Sequence, residues 1–190
     1  QLQSALIDKH DIQLHIHPHW ENAKFENNYW KYSNKDFLIG QLDQDPEIIK
    51  NITNTLFFKS KKYLEDLGKE ANPDYQCIAF RAGNYCLQHK TEIILDALIK
   101  NNIKIDSSIV PGLVMYNEVN QINFRDVPQS PNYFLAPENG IRKASESGIY
   151  EIPIASYLEK KFSEAFSRFK FKLKKTIIGY GFNINYMKAP

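Results

Sequence analysis

The chain has only two cysteines in 190 residues, Cys77 and Cys86, too few for a disulfide-built scaffold. It has no apolar run long enough to span a bilayer, so membrane contact is not expected of it. It also lacks an excess of charge of either sign. Lys+Arg 24 against Asp+Glu 22 leaves +2, which gives no general argument for nucleic acid or an anionic surface as partner. Gln1 to His10 lacks the basic start and apolar centre of a secretory leader, and the compartment stays open. No internal repeat or long low-complexity tract interrupts the chain. What remains is ordinary globular composition, 43% hydrophobic and 24% charged, expected to form a single domain over residues 1–190 with a sizeable core.

Histidine is scarce as well, five in all and none after His89, which makes its placement informative. Three of the five fall in Leu14-His15-Ile16-His17-Pro18-His19-Trp20. Alternate side chains of a strand share a face, so a strand over 12–17 presents His15 and His17 side by side. His19 lies just beyond a proline that ends the strand. Neutral imidazole is a common zinc ligand, and the pattern marks a candidate site for a divalent metal, zinc first. Spacing alone names neither the metal nor the reaction.

The rest of the chain reads as alternating strands and helices. Residues 2–9 look like the tail of a helix, and Trp20, Phe25, Tyr29 and Trp30 fall in an aromatic loop. Asp45 is a good N-cap and Pro46 suits a first helical turn, so a helix runs over 46–67, with Gly68 as its stop. A short strand at 77–80 would bury Cys77, and Cys86 falls in a loop. A helix over 90–100, a strand over 103–107 and a strand over 149–154 follow. Such alternation predicts an α/β fold with parallel strands, whose active sites gather at the strands' C-terminal ends. Polar groups sit at three of those ends: His15 and His17, then Arg81-Ala82-Gly83-Asn84-Tyr85, then Asp106-Ser107-Ser108. Gly83 and Asn84 tolerate positive φ, so the backbone here can turn and aim N–H groups at an oxyanion. Asp106 reads either as an acceptor that orients an imidazole or arginine, or as a cap at a strand-to-loop turn.

These segments resemble motifs of the polysaccharide deacetylases, the NodB-homology carbohydrate esterases. His10 to Pro18 looks like that family's metal-histidine motif, Phe80 to Tyr85 like its arginine motif, and Ile105 to Pro111 like its aspartate–serine strand end. Order and spacing agree over roughly residues 8–112. The resemblance implies a deformed (β/α) barrel and metal-dependent removal of N- or O-acetyl groups from a sugar. It implies His15 as the first metal histidine, and the family's usual four-residue spacing points to His19 as the second; strand alternation favours His17, which is ranked ahead of His19. It further implies that Arg81 orients a catalytic base and that the Tyr85 N–H lines an oxyanion site. In the family an aspartate pair ends an earlier strand and a late histidine acts as acid. Here only Asp8 and Asp11 lie near the histidines, and Ala82-Gly83 replaces the usual proline of the arginine motif. The chain is therefore expected to be an internal piece of a longer domain, or a relative that binds carbohydrate without catalysis. Paired strand histidines also serve amidohydrolase chemistry. Trp20, Tyr29, Trp30 and Tyr133 suit sugar stacking or core packing equally. Residues 158–175 mix phenylalanines with lysines and read as a helix packed on its own domain with its lysines in water.

Overall fold

The computed structural model describes residues 2–85, 87–117 and 121–156; Cys86 and the basic segment 158–175 lie outside them. The chain divides into two units at Ile154, and every described helix and strand belongs to the first.

The short helix α1 (Leu2–Ile7) leads to β1 (Leu14–Ile16). In β1 Leu14 and Ile16 are buried and His15 is exposed, as the alternation of apolar residues requires. A single 3₁₀ turn at Pro18–Trp20 ends the strand. The aromatic stretch after it is a hairpin, β2 (Lys24–Glu26) and β3 (Tyr29–Lys31). Asn27 and Asn28 make its two-residue turn with φ of 53° and 65°, the left-handed pair that hairpin turns favour.

Helix α2 (Pro46–Ala71) begins where the sequence places it. The Asp45 carboxylate accepts from the N–H groups of Glu47 at 2.8 Å and Ile48 at 3.2 Å. The helix runs past Gly68, because that glycine makes room rather than a stop: a Cβ there would lie 2.3 Å from Cδ1 of Tyr75. It ends at Asn72, just before Pro73. Its buried residues include Ile49, Thr53, Leu56 and Phe57. Phe57 meets Phe80 edge-to-face at 4.9 Å.

Next come β4 (Ala79–Ala82), α3 (Thr91–Lys100) and β5 (Ile105–Asp106). Strand β4 starts two residues later than the sequence suggests. Cys77 is buried but precedes the strand, and the Gln13 side chain accepts from the N–H groups of Ile78 and Ala79 at that boundary. Helix α3 buries Ile94, Leu95, Ala97 and Leu98. Removing one such side chain from water stabilises the fold by roughly 1.5–3 kcal/mol.

Four further strands precede the last one: β6 (Val114–Tyr116), β7 (Gln121–Asn123), β8 (Tyr133–Ala136) and β9 (Gly140–Ser145). Strand β10 (Ile149–Glu151) then closes the unit and is shorter than the expected 149–154. The main sheet has six strands in the order β1-β4-β5-β10-β8-β9. Strands β1, β4, β5 and β10 are mutually parallel, and β8 and β9 continue the sheet antiparallel. The fold is mixed α/β with a mostly parallel sheet; a closed barrel is not shown among the described residues.

Candidate functional site

Parallel strands share one C-terminal end, and the parallel register sets the site there. His15 of β1 is paired with Arg81 of β4, so both project from one face of adjacent strands. Both are exposed. His17 lies just past β1, and its ring stands edge-on to that of His15 with centroids 4.7 Å apart. The Nε2 atoms of the two rings are 3.0 Å from each other.

Partner chemistry fixes where the protons sit. His15 Nδ1 faces the Arg81 carbonyl oxygen at 2.8 Å. A carbonyl only accepts, so His15 carries a proton on Nδ1. Across the 3.0 Å contact one of the two Nε2 atoms donates to the other. A ligand histidine whose second nitrogen donates to a carbonyl is the usual second layer of a metal site. Burial, with His15 and His19 beside it, holds the His17 pKa below the ordinary imidazole value, which keeps the ring neutral. Gly83 holds it in place: a Cβ there would lie 2.5 Å from the Ile16 carbonyl oxygen and 2.7 Å from His17 Nδ1. The positive φ expected at Gly83 and Asn84 falls instead on Asn84 and Tyr85, at 54° and 55°. Gly83 is small for close approach, not for its backbone angle.

His19 departs from the pair. It is buried and stacks on Phe37 at 4.3 Å with the planes 13° apart. Its Nδ1 has no hydrogen-bond partner. Burial lowers its pKa and nearby Asp36 pulls the other way.

Arg81 is anchored by Ser107. Its Nε donates to the Ser107 carbonyl at 2.9 Å and its Nη2 to the Ser107 hydroxyl at 3.0 Å. Asp106 does not join it. Asp106 is fully buried, and its partners are Ser108 and Glu151 rather than an imidazole or the guanidinium. The reason is alternation: in β5, Asp106 pairs with Phe80 of β4, whose side chain is on the helix-covered face. Ser108 Oγ–H donates to Asp106 at 2.6 Å and accepts from the Ala82 N–H at 2.8 Å. Asp106 thus braces the strand end that carries Arg81 and Gly83. Tyr85 is half-buried and packs against the core, and its carbonyl accepts from the Leu87 N–H at 2.9 Å.

The sequence reading missed the partner of Asp106. Glu151 of β10 is its register neighbour and is equally inaccessible. Glu151 Oε1 accepts from the Ile109 N–H at 3.2 Å, while Oε2 has no donor. Burial and the adjacent Asp106 push the Glu151 pKa up to about 11. Glu151 therefore keeps its proton at neutral pH and gives it to a hydrogen bond with Asp106. Tyr133 of β8 follows in the same register, its hydroxyl buried and its pKa raised by burial and by the two acids. The signal was present as a lone glutamate in the apolar strand Ile149-Tyr150-Glu151-Ile152.

Among the described residues no group of three or more His, Cys, Asp or Glu is placed to hold a metal ion. The two imidazoles fit a metal as a pair. Tetrahedral zinc with Zn–N near 2.0–2.1 Å separates two ligand nitrogens by roughly 3.4 Å, close to the observed spacing. A cleft of about 620 Å³ reaches both histidines, with Trp20 and Glu21 on its wall. A second, of about 540 Å³, lies over His15, Arg81 and Ser107. In the comparisons, no family model, no curated protein and no solved structure matches this chain.

Proposed function

We propose that this chain is the metal-binding part of a carbohydrate deacetylase, removing N- or O-acetyl groups from a polysaccharide or its precursor. The observation that carries the reading is the His15–His17 pair, with Nε2 atoms 3.0 Å apart and the His15 proton held on Nδ1 by the Arg81 carbonyl. The strand order supports the finer fold. Strands β1, β4, β5 and β10 are neighbours in chain order, each step moving the same way across the sheet, as in a singly wound (β/α) barrel. The resemblance of the His10–Pro18, Phe80–Tyr85 and Ile105–Pro111 segments to deacetylase motifs supports the substrate class.

His15 and His17 would hold the ion through Nε2 in place of the hydrogen bond between those atoms, each ring then carrying its proton on Nδ1. A bound divalent metal lowers the pKa of its water and polarises an acyl oxygen. The protein residues do the positioning. The Arg81 carbonyl fixes the His15 ring, Gly83 leaves room for His17, and Ser107 aims the Arg81 guanidinium beside His15. That guanidinium is the cation nearest His15 in register and is suited to a carboxylate or a developing oxyanion. A second reading, carbohydrate binding without catalysis, is favoured by one observation: the described residues supply no third ligand.

The test is calorimetric zinc titration of the full chain and of His15→Ala, followed by acetate release from acetylated oligosaccharides with and without zinc. Zinc binding lost in His15→Ala, with acetate release that needs zinc, supports the deacetylase. Zinc binding without acetate release selects the non-catalytic reading. Tight binding unchanged in His15→Ala overturns both the site and the function built on it.

A further inference from the structure

The β2–β3 hairpin is the part of the unit whose side chains do least for the core. All six of its strand residues are exposed, and three of them are aromatic. Phe25 is 58% exposed, Tyr29 53% and Trp30 53%, and Trp20 beside them is 49% exposed. An isolated two-stranded hairpin is marginal in water, and a contiguous exposed aromatic patch is one mark of an interaction surface.

The rings are arranged in a row. From His17 to His19 the centroids are 5.5 Å apart, from His19 to Trp20 5.4 Å, from Trp20 to Trp30 5.7 Å and from Trp30 to Phe25 5.3 Å. Trp30 and Phe25 are register partners and so share a face of the hairpin. The exposed part of the row is Trp20, Trp30 and Phe25, and it reaches the histidine pair through His19, which is itself buried.

We propose that this row is a stacking platform for a glycan chain, so that the substrate is a polymer held over several units. The proposal rests on the deacetylase reading for its link to the histidines. Pyranose rings present faces of C–H bonds with hydroxyls at the rim. Exposed indole and phenyl faces match the C–H faces and leave the hydroxyls in water. The composition disfavours other occupants. The hairpin has no aliphatic side chain to enter a lipid or protein surface. Its Lys31 pairs with Glu26 at 2.7 Å, and Lys24 alone does not make the basic groove that single-stranded nucleic acid needs.

The experiment measures tryptophan fluorescence and calorimetry on the full chain in the presence of chelator, so that metal plays no part. The probes are N-acetylglucosamine, its β-1,4 and β-1,6 hexamers, acetylated xylohexaose and anionic phospholipid vesicles. The variants are Trp30→Ala and Tyr29→Ala, the second altering the opposite face of the hairpin. At least one acetylated hexamer is expected to bind more tightly than the monosaccharide. That binding should weaken tenfold or more in Trp30→Ala and persist in Tyr29→Ala. No hexamer binding, or equal binding by Trp30→Ala, overturns the platform, as does Trp30-dependent retention by vesicles alone. If a hexamer binds through Trp30 while zinc binding ignores His15, the platform stands and the deacetylase reading falls. If zinc binding depends on His15 while hexamer binding ignores Trp30, the platform falls and the enzyme reading is untouched.

Discussion

Gly83 and the histidine pair are one arrangement at the residue scale. A Cβ added at Gly83 would meet a backbone carbonyl, which cannot swing away, and the ring of His17. Gly83→Ala should therefore destabilise the chain by about 1–3 kcal/mol and weaken zinc binding together, read by denaturant unfolding and calorimetry. Unchanged stability and affinity would show that Gly83 has no part in the site. The two candidates for second ligand separate in the same way. Losing the orienting partner of a ligand histidine costs roughly 10–100-fold in metal affinity, so losing the ligand itself costs more. His17→Ala should match His15→Ala in lost zinc binding. His19→Ala should keep its zinc and lose stability instead, because His19 is buried against Phe37. The pairing of His15 with His17 was legible because strand alternation is a local rule. The stacking of His19 was not, since it depends on a 3₁₀ turn and on Phe37, eighteen positions away.

At the scale of elements, the sequence placed α2, α3 and the parallel strands because their apolar periods and caps are written locally. The structure corrected the ends. Gly68 was legible as a stop, yet the helix passes through it, since the deciding contact is Tyr75 and a glycine's reason lies in its neighbour. Strands β6 to β9 escaped because each is six residues or fewer and is set by cross-strand pairing rather than by its own pattern. The buried acids escaped for a like reason: only the parallel pairing of β5 with β10 brings Asp106 beside Glu151. That pair gives the fold a definite pH response. Folding raises the Glu151 pKa from 4.5 to about 11, and that of Asp106 moves upward too. Between those values the unfolded chain binds fewer protons than the folded one, so the pair's contribution is greatest below about pH 4.5 and declines as pH rises. Glu151→Gln removes the titration but keeps an amide donor for Asp106 and an oxygen for the Ile109 N–H. It should melt above the parent at pH 8, with the gap closing toward pH 5. A constant gap across that range would mean that Glu151 is not the protonated member of the pair. Glu151→Ala leaves a cavity and an Asp106 held by Ser108 without Glu151, and should destabilise by about 3–5 kcal/mol.

At the scale of the whole molecule the question is whether a metal belongs to the folded state. The two imidazoles are brought together only when β1 is paired with β4, because the Arg81 carbonyl that fixes the His15 proton comes from the other strand. The unfolded chain offers no such pair beyond the flexible proximity of the three histidines. Zinc should therefore bind the folded form preferentially and raise its melting temperature by mass action. At a free concentration a hundred times the dissociation constant the gain is about 2.7 kcal/mol. In a chain of this size that corresponds to roughly 5–10 °C. The shift should grow with the logarithm of zinc concentration and vanish in His15→Ala and His17→Ala. Magnesium should produce almost none of it, since it prefers oxygen ligands to imidazole. The measurement is thermal unfolding across a zinc series, with magnesium as the control ion. A zinc shift that persists in both histidine variants would place the metal elsewhere in the chain. No shift at millimolar zinc in the parent would mean that two imidazoles without a third ligand do not hold an ion.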